Sequence, residues 1–182
     1  MLKQYQIDLK KFSPSTTYKF NYLLDNEFFE RVDGPEVRKG KVHVTLSVIR
    51  VSSTYEMSFQ LEGVISVMCD RCLEDLEISV ETTNRLFVTF GETYAETSDD
   101  RIIISKEEGS INIAWHLYEF VALAIPIKHV HEPGECSEVM LSMLKVLCVD
   151  DLTEKDAAVV QTERRQINDP RWDALRHLKE DI

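Results

Sequence analysis

Between Lys41 and Phe90 the chain alternates apolar and polar residues almost without a break. Val42, Val44, Leu46 and Val48 fall on one face of a first run. Tyr55, Met57, Phe59, Leu61, Ile65 and Val67 share a face in a second, and Leu76, Ile78, Val80, Leu86, Val88 and Phe90 in a third. A period of two sustained over such lengths predicts antiparallel strands with one face buried. Ser52-Ser53-Thr54 makes the first connection tight, and Cys69-Asp70-Arg71-Cys72 makes the second. The segment is predicted to be a three-stranded meander, its last strand interrupted near Thr82–Thr83.

The flanks carry shorter signals. Tyr5, Ile7 and Leu9 alternate as a short strand, and Ser13–Thr17 reads as a turn. Tyr18, Phe20 and Tyr22 continue the alternation before helical character takes over from Asn26 to Val32; a loop rich in breakers follows, to Lys41. Gly91–Asp100 reads as a polar loop and Arg101–Ser105 as a strand. The clearest helix is Asn112–Ile125, with Ile113, Leu117, Phe120, Val121 and Ala124 on one stripe and Pro126 as its stop. Trp115 and Tyr118 lie off that stripe and are expected to meet a second surface. Ile127–Cys136 is a loop, and Ser137–Cys148 has helical content. The polar stretch that follows reads as a linker. In the tail, Asp169 can cap a helix, Pro170 suits its first position, and Leu175 and Leu178 follow Trp172. The expected architecture is α+β: an antiparallel sheet, long enough in its strands to curl toward a barrel, with one main helix packed on a face. Residues 1–150 are expected to form the domain, and residues 151–182 a linker and C-terminal helical tail.

Length and composition fit this picture. The chain has 182 residues, 43% hydrophobic and 29% charged, as in an ordinary globular domain with a tail. No apolar run reaches the ~18 residues of a membrane span, and the N-terminus lacks the apolar core of a secretory signal. A cytoplasmic protein without a membrane partner is expected. Charge changes the picture more. Residues 1–60 carry 9 Lys/Arg against 7 Asp/Glu, and residues 61–182 carry 12 against 25, which together give the net −11. Phosphate neutralisation requires a basic footprint. The acidic part therefore fits a basic partner, such as a ribosomal protein, better than bare RNA. The plainer reading is that the acidity serves solubility alone.

Four cysteines do not make a disulfide scaffold, and in a reducing compartment a close pair points to metal or redox chemistry. Thioredoxin-like chemistry needs the first cysteine at a helix N-terminus, whereas strand-like runs flank Cys69 and Cys72 on both sides. A C-x-x-C turn between strands instead presents two thiolates to one zinc ion. A closed zinc site needs a second pair. His131 and Cys136, separated by a Pro-Gly turn, supply one, with His129 as a competing nitrogen ligand. About sixty residues separate the pairs, far more than in compact zinc fingers. Cys148 reads as a small buried hydrophobe, and His43, His116 and His177 as structural or surface groups. No Gly-rich phosphate loop and no activated nucleophile is evident, so no enzyme is expected. The tail helix has little to bury and is marginal alone. It either docks on the domain or serves a partner through Asp169, Pro170, Arg171, Trp172, Leu175 and Leu178, with Trp172 as anchor.

Four features in order, rather than any single one, resemble the bacterial YceD family: the N-terminal strand and the β-run before the cysteines, the pair in "VMCDRCLEDL", the helix and loop "NIAWHLYEFVALAIPIKHVHEPGEC", and "DPRWDALRHLK" near the C-terminus. Members are linked to accumulation of large-subunit ribosomal RNA, and their genes often neighbour one for a large-subunit ribosomal protein. The resemblance implies a non-catalytic accessory factor in ribosome biogenesis, binding a basic ribosomal protein or large-subunit precursor, with ribosomal RNA contacted indirectly. It places metal-type positions on Cys69, Cys72, His131 and Cys136. His131 is preferred over His129 because it keeps the family's spacing to the final cysteine, and zinc is the implied ion. The alternative is a zinc-ribbon-type RNA-binding module with Arg71 at the tip of the knuckle.

Overall fold

The alternating runs become strands of unusual length. The computed structural model describes residues 2–147. Its strands are β1 (Gln6–Asp8), β2 (Thr17–Leu24), β3 (Lys39–Val51), β4 (Thr54–Met68), β5 (Asp75–Gly91), β6 (Ala95–Ser98), β7 (Arg101–Ser105) and β8 (Ser110–Asn112). The helices are α1 (Asn26–Val32), α2 (Ala114–Leu123) and α3 (Glu138–Leu147). The chain divides into two units, Met1–Ser137 and Glu138–Ile182. In the second, the described part is α3, whose Val139, Met143 and Val146 recur at helical spacing. Cys148, His177, the linker and the tail with Asp169, Pro170, Arg171, Trp172, Leu175 and Leu178 lie outside the described residues.

In the first unit, six strands form one sheet in the order β2-β3-β4-β5-β7-β6, and β1 pairs with β8 in a separate ribbon. Every pairing is antiparallel except β5 with β7. Among the described residues β2 and β6 are edges, so the sheet is open rather than a closed barrel. Val51 opposite Thr54 leaves a two-residue turn, with Ser52 in the left-handed region at φ 57°. β4 and β5 then run together from Thr54↔Thr89 to Met68↔Asp75 without a slip. The expected interruption at Thr82–Thr83 does not occur. Threonine is β-branched and suits a strand, and Thr82 and Thr83 pair in register with Leu61 and Gln60. β6 lies inside the expected polar loop. As an edge strand it needs no buried apolar face, so alternation could not announce it.

One face of the sheet is dry. Leu46, Met57, Phe59, Leu61, Leu86 and Val88 are buried in the core with Phe28 and Phe29 of α1 and with Leu117 and Val121 of α2. Phe120 meets Phe59 with ring centroids 5.1 Å apart. Asp25 caps α1 by accepting from Phe28 N–H at 3.0 Å, and Asp33 ends it in the left-handed conformation. α2 is shorter than the expected Asn112–Ile125, because Asn112 turns its side chain to accept from Ala114 N–H at 3.0 Å. Of the two residues off its stripe, Tyr118 meets a second surface. Its hydroxyl accepts from the Glu36 and Val37 N–H groups at 2.8 and 3.3 Å, and its ring lies over Gly34 where a Cβ would come within 2.0 Å. Trp115 is half exposed and stacks on Tyr118.

Gly63 sits in the inward row of β4 between Leu61 and Ile65. A Cβ there would lie 2.2 Å from the Lys41 carbonyl oxygen and 2.6 Å from Val42 Cα. Backbone cannot retreat as a flexible side chain does, so Gly63→Ala is expected to cost about 1–3 kcal/mol, read as a lower denaturation midpoint with unchanged slope.

Candidate metal centre

The inward row of β4 runs on past the strand's end. Cys69 follows Tyr55, Met57, Phe59, Leu61, Ile65 and Val67 in the same alternation and is fully buried. The chain reverses immediately after it. Cys69 N–H donates to the Glu74 carbonyl and Leu73 N–H to the Cys69 carbonyl, both at 2.9 Å, with Leu73 left-handed at φ 62°. Arg71 N–H points at the Cys69 sulfur at 3.5 Å. This reversal buries the thiol of Cys72 beside that of Cys69 and leaves Asp70 and Arg71 outside.

The second half comes from the loop after α2. Asp70 N–H donates to the His129 carbonyl at 3.0 Å, and His129 N–H donates back to Asp70 Oδ2 at 2.9 Å. The His129 ring lies with Nε2 3.3 Å from Asp70 Oδ1 and Nδ1 3.0 Å from the Pro126 carbonyl. His129 is therefore engaged as a clasp between the loops, and both of its ring nitrogens already face oxygen. Two residues on, His131 turns the other way. Its Nδ1 lies 3.3 Å from the Cys72 sulfur and 3.9 Å from that of Cys136, and the sulfurs of Cys69 and Cys136 are 4.0 Å apart. Gly134, at φ 99°, lets the Glu132–Glu135 turn close and returns Cys136 to the cluster.

The ligand atoms of Cys69, Cys72, His131 and Cys136 all lie within 4.8 Å of one another. A tetrahedral zinc ion with Zn–S near 2.3 Å and Zn–N near 2.0 Å separates its ligands by about 3.5–3.8 Å. The three closest separations, 3.3, 3.9 and 4.0 Å, lie within a few tenths of an ångström of that, and the widest needs a contraction of up to about 1 Å. Three soft sulfurs and one imidazole are the donors zinc prefers in structural sites. The far nitrogen of His131, Nε2, lies 3.2 Å from the Asp75 carbonyl. An N–H donated there leaves the Nδ1 lone pair free for the cluster.

Electrostatics within the cluster are uneven. Burial works against the Cys69 thiolate. Hydrogen bonds to its sulfur from the backbones of Cys72, His131 and Arg71, and from the Cys72 side chain, outweigh it and bring the pKa down to about 6. Burial pushes the Cys136 thiol up to about 11, and the neighbouring sulfurs of Cys72 and Cys69 reinforce it. His131 is raised, chiefly by its hydrogen bond to Cys69. The three cysteines are free thiols, with no disulfide among the described residues.

Sequence reasoning gathered the four donors but missed the parts that hold them. Asp70 reads as a surface carboxylate, and the backbone of Asp75 carries no sequence signal. Arg71 lies exposed at the knuckle.

An α+β domain whose longest hairpin ends in a knuckle, with a His/Cys loop laid against it, defines a fold that gathers one Cys3His cluster. Residues 57–179 match the family model described as "Large ribosomal RNA subunit accumulation protein YceD", and the chain belongs to that family. The matched span opens in β4 and contains both halves of the cluster and the C-terminal segment. No curated protein and no solved structure matches the chain. No helix among the described residues is long and apolar enough to cross a membrane.

A depressed thiol pKa stabilises the folded state above the unfolded value and loses that contribution as pH falls through the folded value. In the metal-free protein, Cys69 therefore contributes stability at pH 9 that is lost progressively down to about pH 6. Denaturant titrations across that window should show the gap between Cys69→Ser and the wild type narrowing toward the acid end, down to the constant cost of burying a hydroxyl. Parallel curves at all pH values would refute the assignment.

Proposed function

We propose that the chain is a non-catalytic, cytoplasmic accessory factor in accumulation of the large ribosomal subunit's RNA, and that Cys69, Cys72, His131 and Cys136 hold one structural zinc ion. Family membership carries the functional half. The meeting of three thiol sulfurs and one imidazole from segments about sixty residues apart carries the metal half. Zinc with four protein ligands has no open position for water or substrate. Its contribution is to cross-link the hairpin tip to the loop after α2, with Nδ1 of His131 and the three sulfurs as ligands. The partner in this reading is a basic ribosomal protein or a large-subunit precursor, and RNA is reached through it. The acidic part of the chain supports that choice. Direct RNA binding through Arg71 has less support, because Arg71 stands among the carboxylates of Asp70, Glu74, Asp75 and Glu77.

Protein purified without a metal-affinity column is expected to contain stoichiometric zinc by elemental analysis. Cys72→Ser and His131→Ala should lose it and melt at lower temperature, while His129→Ala should keep the metal and weaken only the clasp. Zinc near zero in the wild type, with a melting temperature indifferent to chelator, would sink the metal half. For the functional half, cells depleted of the protein should show a falling ratio of large to small ribosomal subunits. A normal ratio would argue against it.

A further inference from the structure

Around the cluster, several apolar side chains stand exposed among the described residues. Leu73 is 61% exposed and holds a left-handed backbone at φ 62°. That conformation favours glycine or asparagine, and an exposed leucine gains nothing from burial. The fold alone would thus prefer another residue there, yet the chain carries a large hydrophobe. Ile127 is fully exposed in the loop that His129 fastens to Asp70, and Met68 is 61% exposed at the end of β4. All three lie on the two segments that form the cluster. Exposed apolar groups gathered at one end of a domain mark an interaction surface.

The surrounding charge says what fits. From Asp70 to Glu77 the hairpin tip has four carboxylates against Arg71, with Asp75 also paired to Lys39 of β3 at 3.4 Å, and the loop from Pro126 to Cys136 has Glu132 and Glu135 against Lys128, so the acidic groups still outnumber the basic ones. Three thiolates around a divalent ion add one further net negative charge. Nucleic acid would be repelled by such a surface, whereas a positively charged polypeptide would be steered to it.

We infer that the knuckle end of the domain is a docking surface for a basic protein segment that anchors apolar side chains on Leu73, Ile127 and Met68. This rests on the accessory-factor reading above and locates its partner contact on the first unit. Lys and Arg of the partner meet the carboxylates and set the encounter rate. The apolar contacts set its lifetime. The cluster holds both segments in one place, so the surface exists only while hairpin tip and loop stay joined.

The test uses the full chain and a short labelled synthetic peptide rich in Arg and Lys with interspersed Leu and Phe. A companion peptide carries Ser in place of Leu and Phe, and a single-stranded RNA oligonucleotide serves as rival. The combined variant Leu73→Asn with Ile127→Ser should weaken peptide binding by about tenfold or more, with melting temperature and zinc content unchanged. Asparagine accepts the left-handed backbone, so the fold is not at risk. Val51→Ser, at an exposed apolar residue on the far end of the β3–β4 hairpin, should bind as the wild type does, and the serine companion should bind weakly. The inference is overturned if the wild type does not bind the peptide, if the combined variant binds it equally well, or if the RNA binds more tightly. Binding that depends on Leu73 and Ile127 in protein without zinc would uphold the surface while removing the metal reading. Zinc-loaded protein lacking that dependence would do the reverse.

Discussion

The cluster end of this domain depends on a clasp between two residues 59 positions apart. Asp70 and His129 exchange backbone and side-chain hydrogen bonds, so that the loop after α2 lies against the hairpin tip. Neither residue offers a donor to the cluster. Without the clasp, His131 and Cys136 would sit on a long loop whose closure costs entropy, and the two halves of the ligand set would have to find each other each time. With it, the cluster forms between segments already in register. This separates holding from ligating. One histidine of the His-Val-His sequence fastens the loop, and the other turns its ring toward the sulfurs.

The sheet explains why the clasp has something firm to grip. β4 and β5 stay paired without a slip up to Met68 and Asp75, and the inward row of β4 delivers Cys69 to the dry side of the sheet by parity alone. One residue more or less in the strand would turn the thiol outward. The core behind that row, with Phe59 against Phe120 and Tyr118 seated on Gly34, fixes where α2 ends and hence where the loop begins.

Much of this was legible in the chain. Strict alternation announced β3, β4 and β5, and the cysteine spacing between strands announced a knuckle, because both depend on local periodicity. Partners of the knuckle could be named from donor chemistry, but their approach is a tertiary event that spacing does not encode. The choice between His129 and His131 turned on a carboxylate and a carbonyl, neither of which stands out in sequence. β1 was announced by Tyr5, Ile7 and Leu9, but β6 and β8 were missed because short edge and two-stranded elements need little apolar pattern. The parallel β5–β7 pair was missed because register between distant strands leaves no periodic trace.

The topology also imposes an order of assembly during synthesis. The β3–β4 and β4–β5 hairpins join neighbouring segments and can form as soon as they leave the ribosome, on the microsecond scale typical of hairpins. β1 must wait for β8, more than a hundred residues later in the chain. Cys69 and Cys72 emerge well before His131 and Cys136. For that interval the nascent chain presents a two-thiol half-site with neither clasp nor second pair, open to any soft metal or oxidant present. Closure by the later loop ends that exposure.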